Sequence, residues 1–166
     1  MIRTLLLMSF VLTTPLLGQA GQPDVRIQPP ELQGSRPLEK QTEAAVIRDY
    51  LLSWKSFKTA LDQNQANLLN ADFVGTAREK LGNTIEGQAQ IGVHTRYQDL
   101  SHDLQIVFYS PEGLSIQILD TVEYDEQVLD HDKVLTSKRI RARYVVVLTP
   151  SEVRWKVRIF QSQAYV

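Results

Sequence analysis

The hydrophobic pattern changes period once along this chain, near Thr95. Before that point apolar residues recur every three or four positions. Ile47, Tyr50, Leu51, Trp54, Phe57 and Leu61 make one stripe, which predicts an amphipathic helix with large aromatics on its buried side. Thr42 is the expected N-cap, and Glu43 suits the positive end of the helix. A short second helix is expected around residues 65–69. A third, opened by Asp72, places Val74, Ala77, Leu81, Ile85 and Ala89 on one face.

After Thr95 the period is two. A first strand over about 97–109 sets Leu104, Ile106 and Phe108 on one face, and Pro111 and Gly113 form the turn behind it. A second strand covers about 114–129, with Leu114, Ile116, Ile118, Asp120, Val122 and Tyr124 in one parity. The third, about 134–148, aligns Ile140, Ala142, Tyr144, Val146 and Leu148. In the last, Val153, Trp155, Val157 and Ile159 alternate with Arg154, Lys156, Arg158 and Phe160. The fold class expected is α+β: about three N-terminal helices packed on a curved four-stranded antiparallel sheet.

The start of the chain follows neither period. Arg3, the apolar run from Leu5 to Leu17 and the small residues Gly18 and Ala20 read as a signal peptide over 1–20. That run is too short to span a bilayer comfortably, so no transmembrane helix is expected in the mature chain. Residues 21–41 carry Pro23, Pro29, Pro30 and Pro37 and read as a flexible tether, leaving 42–166 as the folded domain. The chain has 166 residues, 43% of them hydrophobic and 22% charged, as in globular proteins. A net charge of −1 supplies no global field for nucleic acid, and the absence of Cys leaves no disulfide framework. The expected location is exported, periplasmic or secreted.

The helical stretch "AAVIRDYLLSWKSFKTALDQNQANLLNADFV", a third helix and long strands closing on "VRWKVRIF" resemble the nuclear transport factor 2-like superfamily over about residues 43–163. That superfamily includes SnoaL-like and ketosteroid-isomerase-like proteins. The pattern also looks like exported bacterial proteins and the intermembrane-space domain of plastid-division proteins. The resemblance implies a cone whose sheet wraps the first helix and often leaves a pocket. Enzymes and purely binding members share that scaffold, so fold does not decide function.

Asp120 is the carboxylate that its strand's parity turns toward the core. Desolvated there, it would suit a general base, with Tyr50, Trp54, Tyr97 and Tyr144 as pocket candidates around it. Two blander readings compete. A bulge near Leu119 would turn Asp120 outward, and an arginine of the third strand could simply pair with it. The second chemical feature is a basic sheet face, formed by Arg139, Arg141 and Arg143 on the third strand and Arg154, Lys156 and Arg158 on the fourth. Glu123, Asp125 and Glu126 are the acids placed to neutralise it. His94, His102 and His131 form no ligand set by spacing, so neither metal nor cofactor is expected.

Weighed together, these residues favour a non-catalytic exported domain that binds an envelope protein or a small apolar ligand, with no role for nucleic acid. The alternative is a SnoaL-like isomerase, dehydratase or hydrolase using Asp120. A homodimer stays open. N-terminal sequencing of exported protein is expected to begin at Gly21, and a mature chain that retains Met1 would overturn the signal-peptide reading.

Overall fold

The long aromatic-bearing helix α1 spans Lys40–Gln63, and the rest of the fold is built around it. The computed structural model describes residues 22–34 and 36–163; the expected signal peptide lies outside the described residues. A single 3-10 turn of helix, Ala66–Ala71, and then α2, Gly75–Gln90, follow α1. Strands β2 (His94–Tyr109), β3 (Ile116–Asp130), β4 (Lys133–Pro150) and β5 (Trp155–Gln163) form the antiparallel meander that the period-two pattern predicts.

Part of the stretch expected to be a flexible tether is sheet. Strand β1, Asp24–Ile27, pairs in parallel with β2, setting Val25 opposite His102 and Ile27 opposite Leu104. The amides of Gln28, Glu31 and Gln33 extend this pairing to the carbonyls of Leu104, Ile106 and Val107. The sheet is thus mixed and five-stranded, in the order β1-β2-β3-β4-β5, rather than four-stranded and antiparallel. Proline misled the expectation here. An edge strand needs ladder donors along one side only, so Pro23, Pro29 and Pro30 are tolerated around the paired residues.

The helix starts also differ from expectation. α1 begins at Lys40, after Glu39, and has no side-chain cap. Asp72 does not open α2, because its carboxylate is taken by tertiary partners: it accepts from Ser56 and from the Arg154 guanidinium at 2.7 Å. Its carbonyl takes the Val157 amide at 2.8 Å, and Val74 donates to the Val157 carbonyl at 2.9 Å. This clamp holds the start of α2 on β5. At the other end, Asn64 turns left-handed, at a φ of 54°, to close α1. Its side chain then bonds the Val93 carbonyl and the Gln88 amide, which ties the far end of α2 to β2.

Three bulges decide which side chains reach the core. The β2 register shifts at Leu100 and again at Val107, and that of β5 shifts at Arg158. The second shift turns Phe108 outward and Tyr109 inward, against the simple alternation. The third sends Phe160 into the core and leaves Ile159 40% exposed. Leu114, expected inside, lies before β3 and is 62% exposed. No bulge falls near Leu119: β3 runs in unbroken register past Leu104, Gln105 and Ile106, so Asp120 points inward.

Trp54 is the hub of the interior. Its ring meets Phe57, His102, Tyr124 and Tyr144 edge-on at centroid distances of 5.2–6.1 Å, with Phe160 tilted at 5.6 Å. Trp155, by contrast, is half-buried at the rim and touches Tyr109 at 6.5 Å. We expect Trp54→Ala to cost about 3–5 kcal/mol in denaturant titration, the usual range for an aromatic removed from a core. Trp155→Ala is expected to cost clearly less, since part of its surface never leaves water. Equal losses at the two positions would contradict this packing.

Candidate functional site

A polar group lies where α1 crosses the middle of the sheet. Successive helical turns set Tyr50, Trp54 and Lys58 in one row facing the strands. From β2 come Asp99 and His102, whose numbers differ by three and would put them on opposite faces of a regular strand. The bulge at Leu100 absorbs one residue, so both point inward. β3 contributes Asp120 by its parity alone.

The contacts form one chain. His102 Nδ1 lies 2.8 Å from Asp120 Oδ2, which also accepts the Tyr50 hydroxyl at 2.6 Å. On the other side of the ring, Nε2 sits 3.8 Å from Asp99 Oδ2, an electrostatic contact rather than a hydrogen bond. Asp99 in turn accepts Trp54 Nε1 at 2.8 Å and forms a close ion pair with Lys58. Lys58 alone reaches water; its side chain is 26% exposed, against 1% for His102 and 0% for Asp120.

The electrostatics follow from that burial. Burial opposes the charged His102 ring, but its contacts with Asp120 and Asp99 outweigh this and raise its pKa to about 9. Burial pushes the Asp99 carboxyl up, and its contacts with His102, Lys58 and Trp54 more than offset that and hold it low. Tyr50 is driven well above its ordinary value, first by burial and then by the neighbouring Asp120 charge. At neutral pH the group is therefore a set of ion pairs around a protonated imidazole. Asp120 Oδ1 is the exception, a buried oxygen with no hydrogen-bond partner among the described residues.

The sequence-derived candidates are only partly gathered here. Tyr50 touches Asp120, whereas Trp54 serves Asp99 instead. Tyr144 stands opposite Asp120 across the sheet, but its hydroxyl pairs with that of Tyr124 at 3.3 Å, and Tyr97 packs its ring on Tyr124 at 4.5 Å. Burial raises the pKa of both Tyr97 and Tyr144, so both stay protonated. The expected arginine partner of Asp120 is replaced by His102, which the sequence analysis had set aside as a ligand; Asp99 and Lys58 were not singled out there. The one signal for them was the Asp99-x-x-His102 spacing, which is meaningless until the bulge is known.

The six basic candidates do not share one surface either. β5 pairs only with residues from Arg143 to Pro150, so Arg139 and Arg141 lie beyond it. Arg139 bonds Asp125 through two nitrogens at 2.8 and 3.1 Å, and Arg154 and Lys156 turn to Asp72 and the Asn70 carbonyl. Arg143 stands opposite Thr121 and Gln163, and Arg158 sits at the β5 bulge beside Gly75. Among the described residues no cluster of three or more His, Cys, Asp or Glu is arranged to hold a metal, and no helix is long and apolar enough to cross a membrane.

These features define an α+β fold with a five-stranded mixed sheet and a polar group sealed beneath its long helix. No protein-family model and no curated protein matches the sequence. Solved structures do match. One is the intermembrane space region of the chloroplast protein ARC6, 15% identical with a TM-score of 0.62, over 78% of this chain and 100% of that one. Another is a putative scytalone dehydratase from Novosphingobium aromaticivorans, 14% identical with a TM-score of 0.52, over 76% of this chain and 89% of that one. The chain shares the α+β fold of these two structures. At these identities the likeness carries the fold alone.

Because the folded His102 pKa lies above its unfolded value of about 6.5, its contribution to stability is complete below pH ~6.5 and is lost as pH rises through about 9. We expect the unfolding free energy to fall by on the order of 2–3 kcal/mol across that window in wild type. His102→Gln should flatten the decline. A decline of the same size in the variant would show that His102 is not its source.

Proposed function

We propose that this chain is a non-catalytic binding domain, exported to the periplasm or beyond, that engages a protein partner through its surface. The observation that carries this reading is the sealing of the ionisable group: Tyr50 and Asp120 are 0% exposed and His102 is 1% exposed. A catalyst needs its base within reach of substrate. Here Asp120 spends its contacts on joining α1, β2 and β3. Two cavities, of 430 and 260 Å³, are lined by Ser151–Arg154 with Ala71 and Lys156, and by outward residues such as Arg26, Asp103 and Arg141 around the back of His102. Both are lined by residues outside the aromatic interior, where Trp54, Tyr124, Tyr144 and Phe160 fill the space. A protein partner is thus favoured over a small ligand. The export part of the reading rests on the N-terminal sequence.

A second reading keeps the isomerase, dehydratase or hydrolase alternative. What favours it is the bare Oδ1 of Asp120, a carboxylate oxygen left open beside an imidazole and a phenol. In that arrangement Asp120 would take a proton while His102 or Tyr50 polarises a substrate oxygen, once a movement of α1 admitted it.

Asp120→Asn separates the two. If the carboxylate is structural, the variant loses two charge-assisted hydrogen bonds and the ion pair to His102, and is expected to lose about 2–4 kcal/mol of stability. Capture of envelope proteins from a membrane fraction should stay as in wild type. If Asp120 is a base held under strain, the variant should melt higher than wild type and lose turnover of a carbonyl or hydroxy-ketone substrate. The second pair of results would promote the enzyme.

A further inference from the structure

The hairpin of β3 and β4 runs past the rest of the sheet on one side. β5 pairs with β4 only from Arg143 to Pro150 and ends, among the described residues, with Gln163 opposite Arg143. From Val134 to Ala142 the side of β4 away from β3 therefore meets no described strand, and these residues make no printed backbone bond outside their ladder with β3. This open edge is about 30 Å long, at about 3.3 Å a residue. Lys133 to Arg139 are all exposed, with Val134 and Leu135 at 45% and 48%. Unpaired backbone donors and acceptors beside exposed apolar side chains are a template for one more strand.

Charge decides which strand fits. From Lys133 to Ala142, β4 carries Lys133, Lys138, Arg139 and Arg141 and no acid. The facing stretch of β3 carries Glu123, Asp125, Glu126 and Asp130 and neither Lys nor Arg. Lys138 pairs with Glu126 at 2.9 Å and Arg139 with Asp125 at 2.8 Å, both across that ladder. Their side chains are still 60% and 61% exposed, so each cation is engaged on one flank only and keeps most of its surface in water.

We propose that the open edge of β4 takes up an extended segment of a partner protein, acidic at alternate positions, as the next strand of the sheet. This rests on the binding-domain reading above and gives its partner a chemistry. β3 already shows what fits: Glu123 and Asp125 stand opposite Arg141 and Arg139, and Glu126 opposite Lys138. Backbone pairing supplies the attachment, and the basic column selects for acid. A second copy fits poorly, because two β4 edges side by side set cations against cations with no acid between them. The same charges keep the edge from adding to itself, a common use of Lys on edge strands. One added strand buries less than a standard interface, so the association is weak and exchanging.

The test uses the folded chain and a synthetic peptide of β3's own sequence, TVEYDEQVL, residues 121–129, beside the same peptide with its acids replaced by Lys. In fluorescence anisotropy the acidic peptide should bind saturably and slow amide hydrogen exchange over residues 134–142. The basic peptide should bind at least tenfold more weakly, and Lys138→Glu with Arg139→Glu should invert that order. Ser137→Pro and Lys138→Pro, made separately, cover the case in which the charge variant melts early. Neighbouring amides point to opposite sides of a strand, so one proline should weaken the β3 ladder, while the other keeps the wild-type melting temperature and abolishes peptide binding. No binding of the acidic peptide at about 1 mM, equal binding of the two peptides, or binding that survives both prolines would each overturn the proposal. A wild-type dimer abolished by the stable proline variant would overturn it too, by giving the edge to a second copy. Capture from an envelope fraction keeps the two claims apart. If the stable proline variant retains the wild-type partners, the edge is wrong and the binding domain stands. If wild type captures none and turns over a substrate, the binding reading falls, and the peptides still decide the edge.

Discussion

A protonated imidazole between two buried carboxylates holds the three main pieces of this fold in place. His102 bonds Asp120 from the next strand and faces Asp99 across its own bulge, while Tyr50 and Trp54 reach the same carboxylates from α1. Each ion would be costly in the apolar interior if its partners moved away. Helix position, the β2 bulge and the β2–β3 register are therefore coupled, because displacing any of them leaves a buried charge uncompensated. Apolar packing alone tolerates small slips. Directed charge contacts do not, which suits a helix that must settle at one height on a curved sheet.

The bulges in β2 connect that electrostatic knot to the shape of the molecule. Each inserts a residue that has no partner on β3, bends the strand and raises its twist, and so lets a long sheet curl around α1. The bulge at Leu100 also brings Asp99 to the same side as His102. One local irregularity thus supplies both the curvature and the second carboxylate. The five aromatic rings around Trp54 fill the hollow that this curvature makes.

The two faces of the sheet consequently have different tasks. Inward residues are buried from Ile116 to Tyr124 on β3 and from Tyr144 to Leu148 on β4, and open to solvent towards the hairpin between them. Their outward neighbours pass from apolar to charged along the strands, with acid on one column and base on the next. In-sheet pairing quenches those charges within one molecule, as cross-strand opposite charges do. The buried group and the outer face are separated by one thickness of sheet.

The sequence by itself determined the order of elements, because hydrophobic period is a local property: 3.6 through Tyr50 and Trp54, two through Ile116 to Tyr124. Parity pointed Asp120 inward, but only the unbroken β3 register excluded the bulge near Leu119 that would have turned it out. Only tertiary structure decided the rest. A bulge depends on the neighbouring strand's register, so nothing near Leu100, Val107 or Arg158 announced that Asp99, Tyr109 and Phe160 would turn in. β1 forms because an open edge of β2 accepts it, despite the prolines around it. The partner of Asp120 was likewise undecidable along the chain: an arginine from β4 and a histidine from β2 were both near in the sheet. The histidine took the place because the first bulge and the Trp54 ring left it the space and a second carboxylate to hold its charge.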